Sequence, residues 1–211
     1  MTAPHVQLLG AAGAKLGAAT IPFTPDKRYG LLAYLAFKGD WVSRDKLAYL
    51  FWPEVPDGTA RHSLRQLLKR VRKFDWLMGL YTDLHRVRWV VATDIAEFKQ
   101  ALQKECWDEA LTVYGGPLLK GMSGHESTEF EAWLELEREH LHSRWRETLL
   151  RYVGELEGQG RHLEAAERLA RLLEQDDLDE DALRAYMSAL FRAGRQARAL
   201  RTYEDFAKHL Q

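Results

Sequence analysis

Thr59-Ala-Arg-His-Ser-Leu-Arg-Gln-Leu-Leu-Lys-Arg-Val-Arg-Lys-Phe74 is the stretch whose reading decides the fold. At 100° per residue, Leu64, Leu67, Leu68, Val71 and Phe74 form one apolar stripe, which predicts an amphipathic helix over 59–74 with Thr59 as its N-cap. His62, Arg65, Gln66, Lys69 and Lys73 project from the opposite face, and Arg61, Arg70 and Arg72 flank it. The stretch holds six Lys and Arg and no acid. Solvated helices usually mix signs, because opposite charges at i,i+4 stabilise them. A helix that forgoes those pairs suits a polyanion. Its polar face also carries side chains fit for a DNA major groove: Arg bonds guanine N7 and O6 bidentately, and Gln does the same for adenine.

Working towards the N-terminus, Pro53 to Gly58 is a turn-rich connection. Before it, Ser43 predicts an N-cap for a helix carrying Leu47, Leu50 and Phe51, stopped by Pro53. Asp26 opens an earlier helix with Tyr29, Leu32, Ala33 and Ala36 at helical spacing, and Gly39 ends it. The segment up to Thr24 predicts short strands, with Ile21 and Phe23 flanking Pro22 as expected of an edge. Beyond the basic helix, Leu80–Thr82 and Val87–Val91 predict a hairpin around Asp83–His85. Val87, Trp89 and Val91 are expected in the core, and Arg86 and Arg88 on the exposed side. Strands, three helices and a hairpin make a winged helix-turn-helix with small β-sheets.

The remainder reads as helix. Short helices are expected at Ile95–Lys104 and Trp107–Tyr114, then a long one from Ser127 to Glu157. Three more follow, broken at Gly160, near Asp176–Asp179, and at Gly194. Sliding 149–172 onto 183–206 reveals an internal repeat. Leu149 falls on Leu183, Tyr152 on Tyr186, Leu156 on Leu190, Gly160–Arg161 on Gly194–Arg195, Ala165 on Ala199 and Leu172 on Phe206. The offset matches the tetratricopeptide period of about 34 residues. The expected fold is therefore mostly α: a winged-helix domain over 1–93, then an all-α tetratricopeptide-like domain over 94–211.

Charge divides the same way. Residues 1–98 carry 14 Lys and Arg against 9 Asp and Glu, whereas 99–211 carry 16 against 22. An excess of cations in the front half favours contact with a polyanion there and protein partners at the back. The chain is 46% hydrophobic and 29% charged, as expected of a globular protein. No apolar run approaches the ~20 residues a bilayer requires, so no membrane contact is expected. The single Cys106 excludes an internal disulfide and suits a reducing, cytoplasmic setting.

No glycine-rich phosphate loop, nucleophile motif or His/Cys cluster at metal spacing is present, so neither an enzyme nor a cofactor is expected. His140 and His142 are two apart on a helix and face different ways. The residues expected to meet DNA are Arg61, His62, Ser63, Arg65, Gln66, Lys69, Arg72 and Lys73, with Arg86 and Arg88 from the wing. Of these His62, Arg65 and Gln66 lie where a recognition helix reads bases, and Lys69 and Lys73 where it meets phosphates. The rival reading is an interaction scaffold whose repeat groove binds a peptide. Six cations on one helix give an adaptor no advantage.

These residues resemble the N-terminal region of SARP/AfsR-type bacterial transcriptional regulators, an OmpR-type winged helix joined to a bacterial transcriptional activator domain. The resemblance runs through Val6–Leu9, Lys27–Leu35, Leu47, Leu50–Pro53, Ala60–Arg61, Leu64–Arg65, Leu68 and Val71–Arg72. It continues at Asp94, Phe98, Gly116–Leu119 and Gly194–Arg195. It implies promoter DNA as partner, often bound by a dimer on repeated half-sites, and activation through RNA polymerase. By that pattern Arg61, Arg65, Lys69 and Arg72 match basic positions of the family's recognition helix. Members often continue beyond the point matching Gln211.

Overall fold

A computed structural model describes residues 3–122, 127–174 and 179–209, with side chains up to Thr202. Most of the expected break at Asp176–Asp179, and the Phe206 side chain, lie outside the described residues. The chain divides into two compact units, Met1–His142 and Ser143–Gln211.

The first unit opens with β1 (His5–Gln7), β2 (Gly13–Leu16) and β3 (Ala19–Pro22). These join β7 (Ala92–Thr93) in a sheet of order β3-β2-β1-β7. Pro22 sits on the edge strand, where its missing N–H costs no ladder bond. β7 pairs in parallel with β1, setting His5 opposite Ala92 and Val6 opposite Thr93.

Helix α1 (Lys27–Lys38) starts at Asp26, whose carboxylate accepts from the Arg28 amide, and stops at Gly39 in the left-handed region. Strand β4 (Val42–Ser43) leads into α2 (Arg44–Phe51), which Ser43 caps by accepting from the Lys46 amide. After the turn comes α3 (Asp57–Val71). Strands β5 (Leu80–Thr82) and β6 (Arg86–Trp89) complete a sheet of order β4-β6-β5. This is the winged helix-turn-helix with small sheets that the sequence predicts.

Its core lies between α1, α2, α3 and the wing sheet. Leu64, Leu67, Leu68 and Val71 of α3 are buried against it, with Val87 and Trp89 from the wing. Val91 lies beyond the end of β6 and is only half-buried. Each fully buried apolar side chain contributes roughly 1.5–3 kcal/mol. The like-charge i,i+4 pairs Arg61–Arg65 and Arg65–Lys69 cost only about 0.2–0.5 kcal/mol each. Packing therefore wins, and a helix this basic folds without acidic partners along its face.

The same unit continues past residue 93. Helix α4 (Asp94–Gln103), α5 (Trp107–Val113) and the first part of α6 (Thr128–Gly158) belong to it. Asp94 is 5% exposed. Its carboxylate accepts from the amides of Leu8, Leu9 and Ile95. Burial pushes its pKa up, against the opposing pull of those three amides. Phe130 and Trp133 of α6 pack on the winged-helix aromatics: Trp133 meets Tyr34 and Phe37 edge-on, and Phe130 lies 5.4 Å from Phe51.

The second unit holds the rest of α6, α7 (His162–Leu173), α8 (Glu180–Arg192) and α9 (Gln196–His209). The repeat is visible in hydrogen bonds. The Arg161 amide donates to Leu156 O, and one repeat later the Arg195 amide donates to Leu190 O, both at 2.8 Å. Gly160 and Gly194 both sit at φ 74°, the left-handed turn that glycine adopts without penalty and that closes a helix in this motif. Ala165 is fully buried in the first repeat, and its counterpart Ala199 is half-buried. Arg146 and Asp179 join α6 to the start of α8, with Nε at 2.6 Å from Oδ2 and Nη2 at 3.1 Å from Oδ1.

Candidate nucleic-acid interface

The position of α3 follows from its two ends. Thr59 is not its cap. The Pro56 carbonyl accepts from the amides of Thr59 and Ala60, so the helix opens at Asp57 and Thr59 lies in its first turn. It ends at Val71 rather than Phe74, because Phe74 turns into an aromatic stack. Its ring is 5.4 Å from Tyr29 and 5.4 Å from Trp76. Lys73 therefore stands in the turn after the helix, not on its face.

Along the helix, His62, Arg65, Gln66 and Lys69 are exposed on the side opposite the buried stripe. Among the described residues, Arg65, Lys69 and Lys73 make no ion pair. Ser63 is half-buried at the edge of that face. Arg61 is exposed but reaches across to α2, its Nε 2.8 Å from Asp45 Oδ1. Both partners of that pair are more than half exposed, 55% and 69%, so it holds Arg61 weakly. Arg72 donates to the Thr82 hydroxyl and ties the end of α3 to β5.

The wing is stiffened at its tip. Asp83 accepts from the amides of His85 and Arg86, at 2.8 and 2.6 Å. Those amide bonds, led by that of His85, hold the Asp83 carboxyl below the usual range. The Arg44 amide donates to His85 O at 2.8 Å, pinning the tip to the start of α2. Arg86 is exposed, lies over the Trp41 ring and bonds Asp83. Arg88 is less open than expected. It is half-buried and donates to the Gly39 carbonyl at 3.2 Å.

Two further cations border this surface. Arg70 sits on the α3 flank next to Ser63 and Gln66, and Arg28 faces it from α1. Arg28 was hidden from sequence reasoning because only the fold brings residue 28 beside residue 70. Among the described residues no cluster of His, Cys, Asp and Glu could hold a metal ion. No described helix is long and apolar enough to cross a membrane.

The described fold is a winged helix-turn-helix with tetratricopeptide-like helices in the same chain. The bacterial transcriptional activator domain model matches residues 82–211, more than half the chain, and the chain belongs to that family, as a regulator of SARP/AfsR type. The regulatory protein AfsR of Streptomyces griseus is 29% identical over 207 residues, covering 86% of this chain and 20% of that protein. AfsR of Streptomyces coelicolor is 27% identical over 201 residues, covering 86% of this chain and 19% of that protein. The chain thus spans about a fifth of the length of these relatives. Among solved structures, Mycobacterium tuberculosis EmbR in complex with a low-affinity phosphopeptide shares the fold. The TM-score is 0.69 at 20% identity, over 99% of this chain and 60% of that one. The family is one of transcription regulators, not of enzymes.

Proposed function

We propose that this protein is a sequence-specific DNA-binding regulator, an activator that binds promoter DNA through the exposed face of α3 and contacts RNA polymerase. What carries the proposal is that face. It presents Arg65, Lys69, His62 and Gln66 with no acidic partner among the described residues, on a helix whose other side is locked in the core. His62, Arg65 and Gln66 meet base edges in the major groove, and Lys69 and Lys73 meet phosphates. Arg61 and Ser63 serve either role. Arg72, Arg86 and Arg88 flank the duplex at the wing. Residues 1–93 form the DNA-binding domain and 94–211 the activator domain. The protein acts as a homodimer on repeated half-sites, in the cytoplasm. Dimer, activation and polymerase contact are carried over from the family, not from the geometry.

A mobility-shift assay on genomic fragments at two salt concentrations tests the DNA claim. Binding through several phosphates weakens with a slope of about −0.9 per phosphate in log K against log salt. A protein that leaves every fragment unshifted at low salt does not have this function.

A further inference from the structure

Beside α3, on the flank away from the wing, a cleft of about 620 Å³ is lined by Asp26, Arg28, Trp52, Ser63, Gln66 and Arg70. Its chemistry is mostly cationic and hydrogen-bonding, and Ser63 and Gln66 belong to the face already assigned to DNA. Arg28 is held in place. Its guanidinium lies over the Phe74 ring, 5.5 Å from the centroid, and over Tyr29 at 6.0 Å. Those rings belong to one stack that also includes Phe23 and Trp76. The Asp26 carboxylate occupies this guanidinium, accepting from Nε and Nη2, each at 2.9 Å. That two-bond arrangement is how a guanidinium also grips a phosphate. Both side chains are partly exposed, 40% and 36%, so an incoming anion can reach the pair.

We infer that this cleft receives one backbone phosphate of the bound duplex on Arg28 and Arg70, and that Asp26 stands in for that phosphate in the free protein. The inference rests on the DNA-binding function proposed above. Asp26 is then an internal competitor: its carboxylate must yield Arg28 before the phosphate can take its place. The hydrogen bond from Arg28, and further off the charge of Arg70, hold Asp26 below the usual carboxylate range, so at neutral pH the competitor is ionised. Because Asp26 also caps α1 through the Arg28 amide, an Asn there keeps the capping oxygen while removing the charge and one of the two acceptors on the Arg28 guanidinium.

The test measures binding of a shifted genomic fragment against salt for wild type, Arg28→Ala, Arg70→Ala, Asp26→Asn and Glu109→Gln. The last makes the same charge change on α5, outside the cleft. Arg28→Ala and Arg70→Ala are expected to shallow the slope by up to about 0.9, the share of one phosphate. Asp26→Asn is expected to tighten binding, and Glu109→Gln to leave it unchanged. Arg70 caps no helix, so its variant tests the proposal even where another misfolds. Unchanged slopes in both arginine variants, or equal tightening by Asp26→Asn and Glu109→Gln, overturn the inference while leaving DNA binding intact. Failure of the wild type to bind any fragment overturns the proposed function itself. Inorganic phosphate is titrated in parallel by thermal shift. A phosphate-dependent rise in Tm that Arg28→Ala abolishes, with the DNA slope unmoved, would assign the cleft to a small anion instead.

Discussion

Both carboxylate oxygens of Asp94 accept from the amide of Leu8, at 2.9 and 2.8 Å, and one of them also accepts from Leu9 at 2.8 Å. One buried side chain thus satisfies two strand-end amides that lie 86 and 85 residues away in sequence, and fixes the start of α4 to β1. Asp94→Ala leaves those donors without an acceptor, at a cost of about 1–3 kcal/mol for each buried group. Urea unfolding at neutral pH should show a loss of about 3 kcal/mol. A change within about 0.5 kcal/mol, the usual range for an inert surface site, would mean that the amides find other acceptors.

The second unit has its own latch, with a pH signature. The hydrogen bond from Arg146 holds the Asp179 carboxyl, 7% exposed, below the usual range. A depressed folded pKa contributes stability that is present above the unfolded value of about 3.9 and is lost as pH falls through the folded value. Asp179→Asn keeps the cap on α8 but loses the charge-assisted bonds, for a loss of about 1–2 kcal/mol at pH 7. The gap between variant and wild type should narrow as the pH is lowered below 4. A gap that is constant with pH would show that the ion pair contributes nothing.

Truncation tests where the first unit ends. A fragment of residues 1–93 lacks Asp94, and it uncovers Tyr34, Phe37 and Phe51, on which Trp133 and Phe130 pack. A fragment ending at His142 keeps them all. The shorter piece is expected to be the less stable and to bind a hydrophobic dye. Within the full chain, Phe130→Ala, which removes a fully buried ring, is expected to cost about 3–5 kcal/mol. Equal melting of the two fragments would place the end of the folding unit at residue 93.

Much of this architecture was legible in the chain. The α3 stripe, the change of period at Asp26, the cap Ser43, the stops Gly39 and Pro53, and the repeat that sets Gly160 on Gly194 each have a local cause that a pattern can carry. What escaped has non-local causes. Strands β4 and β7 are each only two residues long, too short for alternation to register, and exist because β6 and β1 offer them partners. Thr59 has the chemistry of a cap, yet Pro56 opens the helix earlier. Lys73 continues the helical period, yet Phe74 leaves it for Tyr29 and Trp76. Of the candidate site, periodicity found the face but not its neighbours: Asp45 on Arg61, Thr82 on Arg72, and Arg28 across from Arg70.

The exposed cations of α3 should divide by role. Lys69→Ala is expected to weaken every duplex alike and to reduce the salt slope by about 1. Binding isotherms on two unrelated fragments at three salt concentrations measure this. Selective loss on one fragment would move Lys69 from the phosphates to a base edge.

Arg65 bears most directly on the central claim, that α3 reads DNA sequence. Selection of bound duplexes from a random pool, for the wild type and for Arg65→Ala, measures it. The wild type is expected to enrich one motif, and the variant to lose discrimination at one base pair of it, worth about 1–3 kcal/mol. A wild type that enriches no motif, or a variant that enriches the same motif undiminished, would contradict the account.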